Sequence, residues 1–305
     1  MEKFNEYCII KGYSSKSAER FIPVVNRFDQ WKEEQNIETE NITYNDVMAY
    51  VNHCRHKGHT ASTIKGMVYC LKIYFRFLES EEILDDNPAG SIEIKGVRRR
   101  ILYDIITSEE LDSIYKSYPT EITADCKYMP PQQRNELARK RNKVLLGLII
   151  YQALRSGELE NLTLHDIKLR EGKIQIQRGR TTNQRTLKLE PGQVFELLDY
   201  INETRKSILS YNPRESNKLF IGFGNQERFN NIVSGMMLQL RKQNPKLKNL
   251  KQVRASVITH WLKLYNLRKV QYLCGHRYIS STEKYLVNNL EDLQDDIKKY
   301  HPMLQ

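Results

Sequence analysis

The stretch GKIQIQRGRTTNQRTLKL, residues 172–189, has the pattern of two short β-strands joined by a polar turn. Apolar and polar residues alternate along Gly172–Gln177 and again along Arg185–Leu189, which is typical of strands that bury one face. The intervening residues 178–184 are polar or glycine. This stretch predicts a β-hairpin in a chain whose other patterns are helical, so we predict a fold that is mainly α with a small β-hairpin sheet.

Helical patterns lie on both sides of the hairpin. In Thr60–Glu79, apolar residues recur every three or four positions and leave Lys65 and Lys72 on another face. A further helix is expected after Thr107, whose hydroxyl can cap a first turn that contains two glutamates. The other predicted helices are Ser17–Glu34, Asn45–His53, Arg141–Ala153, Val194–Lys206, Asn230–Gln243, Val253–Leu264 and Asn289–Tyr300.

A change of composition near residue 95 predicts a domain boundary. The sequence Asn87-Pro88-Ala89-Gly90 ends the first helical part, and Lys95–Arg100 then places four Lys/Arg in six residues. We expect a helical N-terminal domain over residues 1–94, a basic linker over 95–106, and an α+β domain over 107–305 that closes with a tail helix.

The composition excludes several classes of protein. The chain has 305 residues with 40% hydrophobic and 28% charged residues, which is typical of globular proteins. No apolar run approaches the roughly 18 residues of a membrane span, and the start has no signal-peptide pattern, so we expect a cytoplasmic protein. Its five cysteines are widely spaced without a CxxC pair, which predicts neither a disulfide framework nor a zinc site.

The net charge of +11 is unevenly distributed along the chain. Residues 1–94 hold 11 Lys+Arg against 15 Asp+Glu, whereas residues 95–305 hold 37 against 22. Arg228–Thr282 contains eleven Lys/Arg and no carboxylate, and Val47–Leu78 is also free of carboxylates. Such stretches suit a surface that faces phosphates, because a carboxylate would repel the ligand. A solvated basic face explains either stretch alone, but the two together favour a nucleic-acid partner.

Three short segments contain the candidate catalytic residues: LRSGEL at 154–159, LKQVRAS at 250–256 and LCGHRYISSTEKY at 273–285. They resemble the motifs of the tyrosine recombinase (phage-integrase) family. That family has an arginine in a G-L-R-x-x-E-L setting, a His/Lys-x-x-Arg pair, and a Leu-Gly-His followed nine residues later by a tyrosine. The resemblance covers essentially the whole chain, since residues 1–94 are similar to the helical core-binding domain of the family.

The resemblance implies roles for particular residues and a set of partners. Tyr285 is the implied nucleophile, which forms a 3′-phosphotyrosine bond and leaves a free 5′-hydroxyl, and Glu158 supports the site. The implied partners are double-stranded DNA recombination sites, further copies of the chain in a homodimer or homotetramer on DNA, and accessory DNA-bending or directionality proteins. The remaining implied catalytic residues are Arg155, Lys251, Arg254 and His276.

These residue types suit phosphoryl transfer without a metal or cofactor. The transition state spreads negative charge over the non-bridging oxygens, and a guanidinium can bind two of those oxygens with a charge that does not titrate away. Neighbouring cations also favour the phenolate form of a tyrosine. The sequence shows no carboxylate cluster of the kind that binds Mg²⁺, so Arg155 and Arg254 are expected to take its place.

Two positions depart from the family pattern. Lys251 stands where histidine is commoner. Arg180 falls at the hairpin position that usually presents a catalytic lysine, and an arginine stabilises charge but hardly donates a proton. Lys173 or Lys188 takes that role instead if the register of the hairpin shifts.

Each candidate also has a plainer interpretation. Tyr285 is one of 18 tyrosines, Arg155 can simply pair with Glu158, and the cysteine before Gly275 is expected to be an apolar filler. The histidines at 53, 56 and 59 are interpreted as part of a basic loop rather than a metal site. Expected phosphate contacts are Lys65, Lys72, Arg98, Arg99 and Arg100.

The residues leave several biological roles open. Lys251 and the arginine-bearing turn favour the integrase or transposon recombinase of a mobile element. The alternatives are a Xer-type recombinase that resolves chromosome dimers, a DNA-binding regulator that has lost catalysis, and a DNA-relaxing enzyme of the type IB topoisomerase kind.

Overall fold

The computed structural model of the protein describes residues 1–96, 103–121, 132–212, 215–224 and 228–286. The chain divides into two compact units, residues 1–101 and 102–305, each with its own hydrophobic core. The predicted tail helix Asn289–Tyr300 and the basic residues Arg98, Arg99 and Arg100 lie outside the described residues.

The first unit is helical, as predicted. Ser14, Thr43 and Thr60 each cap the start of a helix with a side-chain oxygen, which satisfies a backbone N–H that the first turn leaves unpaired. The core is rich in aromatic side chains, such as Phe28 packed edge-to-face on Phe75 with ring centres 5.6 Å apart. Its helices are α1 (Glu2–Ile10), α2 (Ser15–Glu34), α3 (Tyr44–His56) and α4 (Ala61–Ser80).

The second unit is built around one apolar helix. Residues 144–150 of this helix are all buried, as the uninterrupted apolar run predicts. The ring of Tyr115 packs directly on Gly147, where a Cβ would lie 2.8 Å from the ring. Helices before and after it in the chain pack around it. The helices of this unit are α5 (Ser108–Lys116), α6 (Gln132–Ile150, the apolar helix), α7 (Ser156–Asn161), α8 (Pro191–Asp199), α9 (Arg205–Leu209), α10 (Phe229–Gln243), α11 (Leu250–Leu264), α12 (Leu267–Cys274) and α13 (Ser280–Glu283).

A small antiparallel sheet lies in the second unit, with strand order β1 (Ile167–Lys168), β2 (Lys173–Ile176) and β3 (Arg185–Lys188). Ile174 pairs with Leu187, and Ile176 pairs with Arg185. The predicted hairpin is therefore present as β2 and β3, and β1 extends it. The mainly α fold with a small sheet is confirmed.

The helix predicted over Val194–Lys206 has an unexpected interruption. Between α8 and α9 the chain forms a π-helical segment, Tyr200–Thr204. Tyr200 is buried there and its hydroxyl donates to the carbonyl of Leu219 at 2.8 Å. Periodicity alone does not reveal this change, because the segment keeps a helical pattern of apolar residues.

Within the described ranges, no helix combines the length and the apolar character needed to cross a membrane.

Candidate active site

The turn of the β2–β3 hairpin contacts the segment that carries His276. Thr182 forms an antiparallel bridge with His276, and the backbone N–H of Asn183 donates to the carbonyl of Gly275 at 3.1 Å. Helix α12 ends at Cys274, and Gly275 follows in the left-handed conformation with φ of 65°. The hairpin and the end of α12 therefore place residues that are about ninety positions apart in the sequence beside each other.

Arg254 of α11 lies against the same segment and is buried. Its Nη2 donates to the carbonyl of Cys274 at 3.0 Å and lies 3.4 Å from Nε2 of His276. Nη1 is also buried and, within the described part of the chain, meets no hydrogen-bond acceptor. The guanidinium thus presents an unsatisfied N–H edge beside the histidine.

His276 is held in one tautomer by its two neighbours. Arg254 can only donate, so Nε2 of His276 is the acceptor, and Nδ1 carries the proton and donates to Oγ1 of Thr282 at 2.8 Å. Burial, together with the charges of Arg254, Arg155 and Arg185, lowers the pKa of His276 from 6.5 to about 3. The imidazole is therefore neutral near pH 7 in the protein without DNA.

The ring of Tyr285 lies beside that of His276. The two rings are parallel within 9° with centres 6.0 Å apart. Its side chain is half-buried against the core, and its backbone N–H donates to Thr282. The structure therefore brings together Arg254, His276 and Tyr285, which the sequence places in two separate segments.

Arg155 lies at the start of α7. Glu158, its possible ion-pair partner, binds another arginine instead. The carboxylate of Glu158 does not serve as the simple ion-pair partner of the Arg155 side chain; it binds the guanidinium of Arg185 at 2.8 and 2.9 Å. It also accepts from the backbone N–H of Arg155 at 3.0 Å. Burial raises the pKa of Glu158, but the Arg185 guanidinium outweighs it, and the net pKa is lowered. Glu158 therefore joins β3 to the start of α7, and its supporting role in the site stays a prediction.

Arg155 and the hairpin turn line one cleft of about 330 Å³. Arg178 and Arg180 are exposed on its rim, and neither was placed in the strands by the sequence pattern. Lys173 and Lys188 are cross-strand neighbours at the end of the hairpin that lies away from the turn. Lys173 forms an ion pair with Glu171 at 3.3 Å. The turn therefore supplies arginines, not lysines, to this cleft.

Three further predicted residues have distinct surroundings. Lys251 is exposed at the start of α11, three residues before Arg254. Lys65 is exposed on α4, whereas the Nζ of Lys72 donates to the carbonyl of Gly90 at 2.9 Å and so also holds the end of the first unit together.

The other cysteine and histidine side chains that the structure describes do not form a second site. Cys274 is fully buried, and burial raises the pKa of its thiol to about 11, which disfavours a nucleophilic thiolate. His53 packs on Trp31 and Tyr50. Among the residues that the structure describes, no group of three or more His, Cys, Asp or Glu side chains is arranged to bind a metal ion.

Sequence comparison connects both parts of the chain to known families. Residues 110–291 match the model of the phage integrase family, and residues 1–82 match the model of the phage integrase N-terminal SAM-like domain. The tyrosine recombinase XerD of Oceanobacillus iheyensis is 27% identical, over 86% of this chain and 84% of the relative. The tyrosine recombinase XerC of Bacillus subtilis is 24% identical, over 98% of this chain and 95% of the relative.

Solved structures share the fold. XerH recombinase bound to a palindromic difH substrate in a post-cleavage complex matches with a TM-score of 0.66 and 16% identity, over 94% of this chain and 81% of that one. A λ integrase dimer bound to a COC′ core site matches with a TM-score of 0.62 and 14% identity, over 93% of both chains. At these identities the likeness supports the fold alone.

Proposed function

Because this chain belongs to the phage integrase family of tyrosine recombinases, we propose that it cuts and rejoins DNA strands through a covalent bond between Tyr285 and a 3′-phosphate. The observation that carries this proposal is the buried guanidinium of Arg254 beside His276 and Tyr285, whose Nη1 has no acceptor among the residues that the structure describes. Burial lowers the pKa of the Arg254 guanidinium, so its charge lacks full compensation in the protein alone. A phosphodiester oxygen supplies both the missing acceptor and the missing negative charge.

The reaction needs only protein side chains to hold the phosphate. Oη of Tyr285 attacks the phosphorus, the bond to the 5′-oxygen breaks, and that oxygen leaves as a hydroxyl after it takes a proton. Arg254 and Arg155 stabilise the charge that develops on the non-bridging oxygens. A 5′-hydroxyl from another strand then attacks the phosphotyrosine, which rejoins DNA and releases Tyr285.

His276 changes its role when the phosphate arrives. Without DNA, three arginines and burial keep it neutral. The negative phosphate offsets the arginine charges, so the affinity of Nε2 for a proton increases in the complex. His276 is therefore able to accept the Tyr285 proton or donate to a phosphate oxygen only after DNA has bound.

Lys251 is the group we assign to protonate the leaving 5′-oxygen. The charged residues that the hairpin turn contributes to the cleft lining are Arg178 and Arg180, and a guanidinium does not release its proton. Lys251 lies three residues before Arg254 on α11, which places the two on neighbouring positions of one helix face. Its ammonium has a transferable proton, and Arg180 then acts as a fixed charge.

We further propose a Xer-type role for this recombinase. The support is that the curated relatives at 27% and 24% identity both have Xer names and align over most of their length. The mobile-element role that Lys251 and Arg180 favour has less support, since λ integrase shares only the fold at 14% identity. A Xer-type enzyme would act in the cytoplasm on DNA sites, with two or more copies per site, as the λ integrase dimer on its core site does.

The proposal is tested with a suicide substrate. Duplexes that bind the full chain are first selected from a random-sequence library, and each is then nicked at successive positions near its centre. When the nick lies just beyond the cut, the short 5′-hydroxyl fragment diffuses away and the covalent adduct accumulates. We expect the wild-type chain to form an adduct that survives detergent, and mass spectrometry to place the DNA on Tyr285.

Tyr285→Phe and Tyr278→Phe form a matched pair of variants. Tyr278 is exposed in the same segment, seven residues before Tyr285, and its loss should leave the adduct unchanged. Tyr285→Phe should bind the duplex and form no adduct. A wild-type chain that binds but never attaches at any nick position would support the DNA-binding regulator instead.

A further inference from the structure

Arg185 of β3 contacts two segments that carry the proposed catalytic residues. Its Nη1 and Nη2 donate to the two carboxylate oxygens of Glu158, and one of these oxygens also accepts from the backbone N–H of Arg155. Its Nε donates to the carbonyl of Leu273 at 2.9 Å. The Arg185 side chain has no exposed area, and that of Glu158 is 8% exposed. A planar guanidinium bound on three sides fixes the angle between its partners.

The carbonyls before His276 show how closely this segment is held. A helix leaves its last carbonyls without intrahelical partners. At the end of α12, the carbonyl of Leu273 accepts from Arg185, that of Cys274 from Arg254, and that of Gly275 from the backbone of Asn183. Three successive carbonyls are therefore bound from β3, from α11 and from the hairpin turn.

Gly275 makes the contact with Arg185 possible. A Cβ added to Gly275 would lie 2.2 Å from Nη1 of Arg185, so the guanidinium packs directly on the bare backbone that precedes His276. A shift of Arg185 therefore moves either the start of α7 or the backbone of His276.

We propose that Arg185 is a positioning residue that sets the placement of Arg155 relative to His276, so that both groups converge on one phosphate. Arg185 is buried and paired with Glu158, which leaves it unable to serve as a phosphate ligand itself. The proposal rests on the proposed function only where DNA cleavage is measured. A second measurement, the titration of His276, uses the protein without DNA.

Arg205 provides the matched control. It is also a buried arginine of the second unit that binds backbone carbonyls, with its Nε donating to Lys218 at 3.0 Å. It contacts none of the proposed catalytic residues in the described part of the chain. Arg205→Lys therefore removes buried guanidinium–carbonyl hydrogen bonds like the one from Arg185 to Leu273, but no ion pair, and only Arg185→Lys alters the site. Glu158→Gln is a second variant that weakens the same ion pair while keeping the shape of the side chain.

Two measurements separate a positioning role from a purely structural one. In the DNA-free protein, NMR titration of the His276 ring should show its pKa lowered in Glu158→Gln, because the carboxylate that raises it is removed. The pKa should increase in Arg185→Lys, where lysine keeps the charge but a loosened site buries the ring less, and should be unchanged in Arg205→Lys. On the suicide duplex, Arg185→Lys should bind within about twofold of wild type but form the adduct at least tenfold more slowly, whereas Arg205→Lys should match wild type in both.

The outcomes are distinguishable. Unchanged His276 titration in Arg185→Lys, or an equal change in Arg205→Lys, overturns the positioning role. If the wild-type chain forms no adduct at all, the proposed function fails, and the titration still decides the role of Arg185.

Discussion

Arg254 illustrates how one residue connects the fold to the proposed chemistry. A buried polar group without a partner costs stability, typically about 1–3 kcal/mol and more for charged groups. The chain nevertheless buries this guanidinium and leaves Nη1 unsatisfied in the described part of the protein. Such a cost is understandable where a ligand completes the hydrogen bonds, because the protein then offers a donor that needs no rearrangement when the phosphate binds.

His276 gives a residue-level prediction about pH. Its pKa is about 3 in the folded protein, against 6.5 as the ordinary value. Between these values the unfolded chain binds a proton that the folded chain does not, so this residue's contribution to stability is complete above pH 6.5 and is lost as the pH falls towards 3. The slope reaches ~1.4 kcal/mol per pH unit.

The prediction is measured by urea unfolding of wild type and of His276→Asn at pH 7, 6, 5 and 4. The free energy of unfolding of the wild type should fall more steeply than that of the variant. Other acid-sensitive groups, including Glu158 with its lowered pKa, titrate in both proteins and cancel in the difference. Parallel curves would show that His276 is not held neutral by the fold.

At the scale of elements, the end of α12 yields a second prediction. Gly275 and Gly172 both have left-handed φ angles, 65° and 59°, but only Gly275 packs on another group. An alanine at Gly172 meets nothing within 4 Å, so it should cost only the left-handed conformation, roughly 1 kcal/mol. Gly275→Ala must also displace Arg185.

Denaturant unfolding and adduct formation check this pair of variants. Gly275→Ala should lose more stability than Gly172→Ala and should form the phosphotyrosine adduct at least tenfold more slowly, while Gly172→Ala keeps the wild-type rate. Equal losses in both variants would mean that the contact between Gly275 and Arg185 contributes nothing beyond backbone strain.

The same elements show what could be predicted from sequence. The β2–β3 hairpin and α6 follow from local periodicity, because alternation and an unbroken apolar run each have one natural explanation. Arg185 was predicted only as a strand residue. Its burial depends on Glu158, 27 residues earlier, and on Leu273, 88 residues later, and no local pattern contains those contacts. An arginine on the apolar face of β3, in line with Leu187 and Leu189, was the available signal.

That the candidate catalytic residues come together could be predicted only in part, because their contacts join distant segments of the chain. Family motifs identified Arg155, Arg254, His276 and Tyr285 as a set, but a motif fixes residue types and not distances. The tautomer of His276 and its neutrality follow only from the surrounding charges, which come from three separate elements. The short β1 strand and α12 were missed because each is too brief for its period to be recognised.

At the scale of the whole molecule, charge and core divide along the same boundary. Residues 1–101 contain 15 Lys+Arg and 15 Asp+Glu, whereas residues 102–305 contain 33 and 22. Each unit has a separate hydrophobic core with no shared members. A unit with its own core is expected to fold alone. The excess positive charge of the chain therefore belongs to the unit that contains Arg155, Arg254 and Tyr285.

This division predicts how the separated units bind DNA. Fragment 102–305 should fold and bind duplex DNA with a strong salt dependence; if it neutralises about six phosphates, its affinity falls on the order of a thousandfold between 50 and 200 mM salt. In fragment 1–101 the Lys+Arg are matched in number by Asp+Glu, so we expect it to contact fewer phosphates, to bind more weakly and to have a shallower slope. Fluorescence anisotropy on one selected duplex, over a salt series, measures both slopes, and circular dichroism checks that each fragment is folded. The slope reports the number of phosphates contacted, not the net charge. A slope for 1–101 as steep as that for 102–305 would therefore contradict the prediction. It would place the main phosphate-binding surface on the first unit, where Lys65 is exposed on α4.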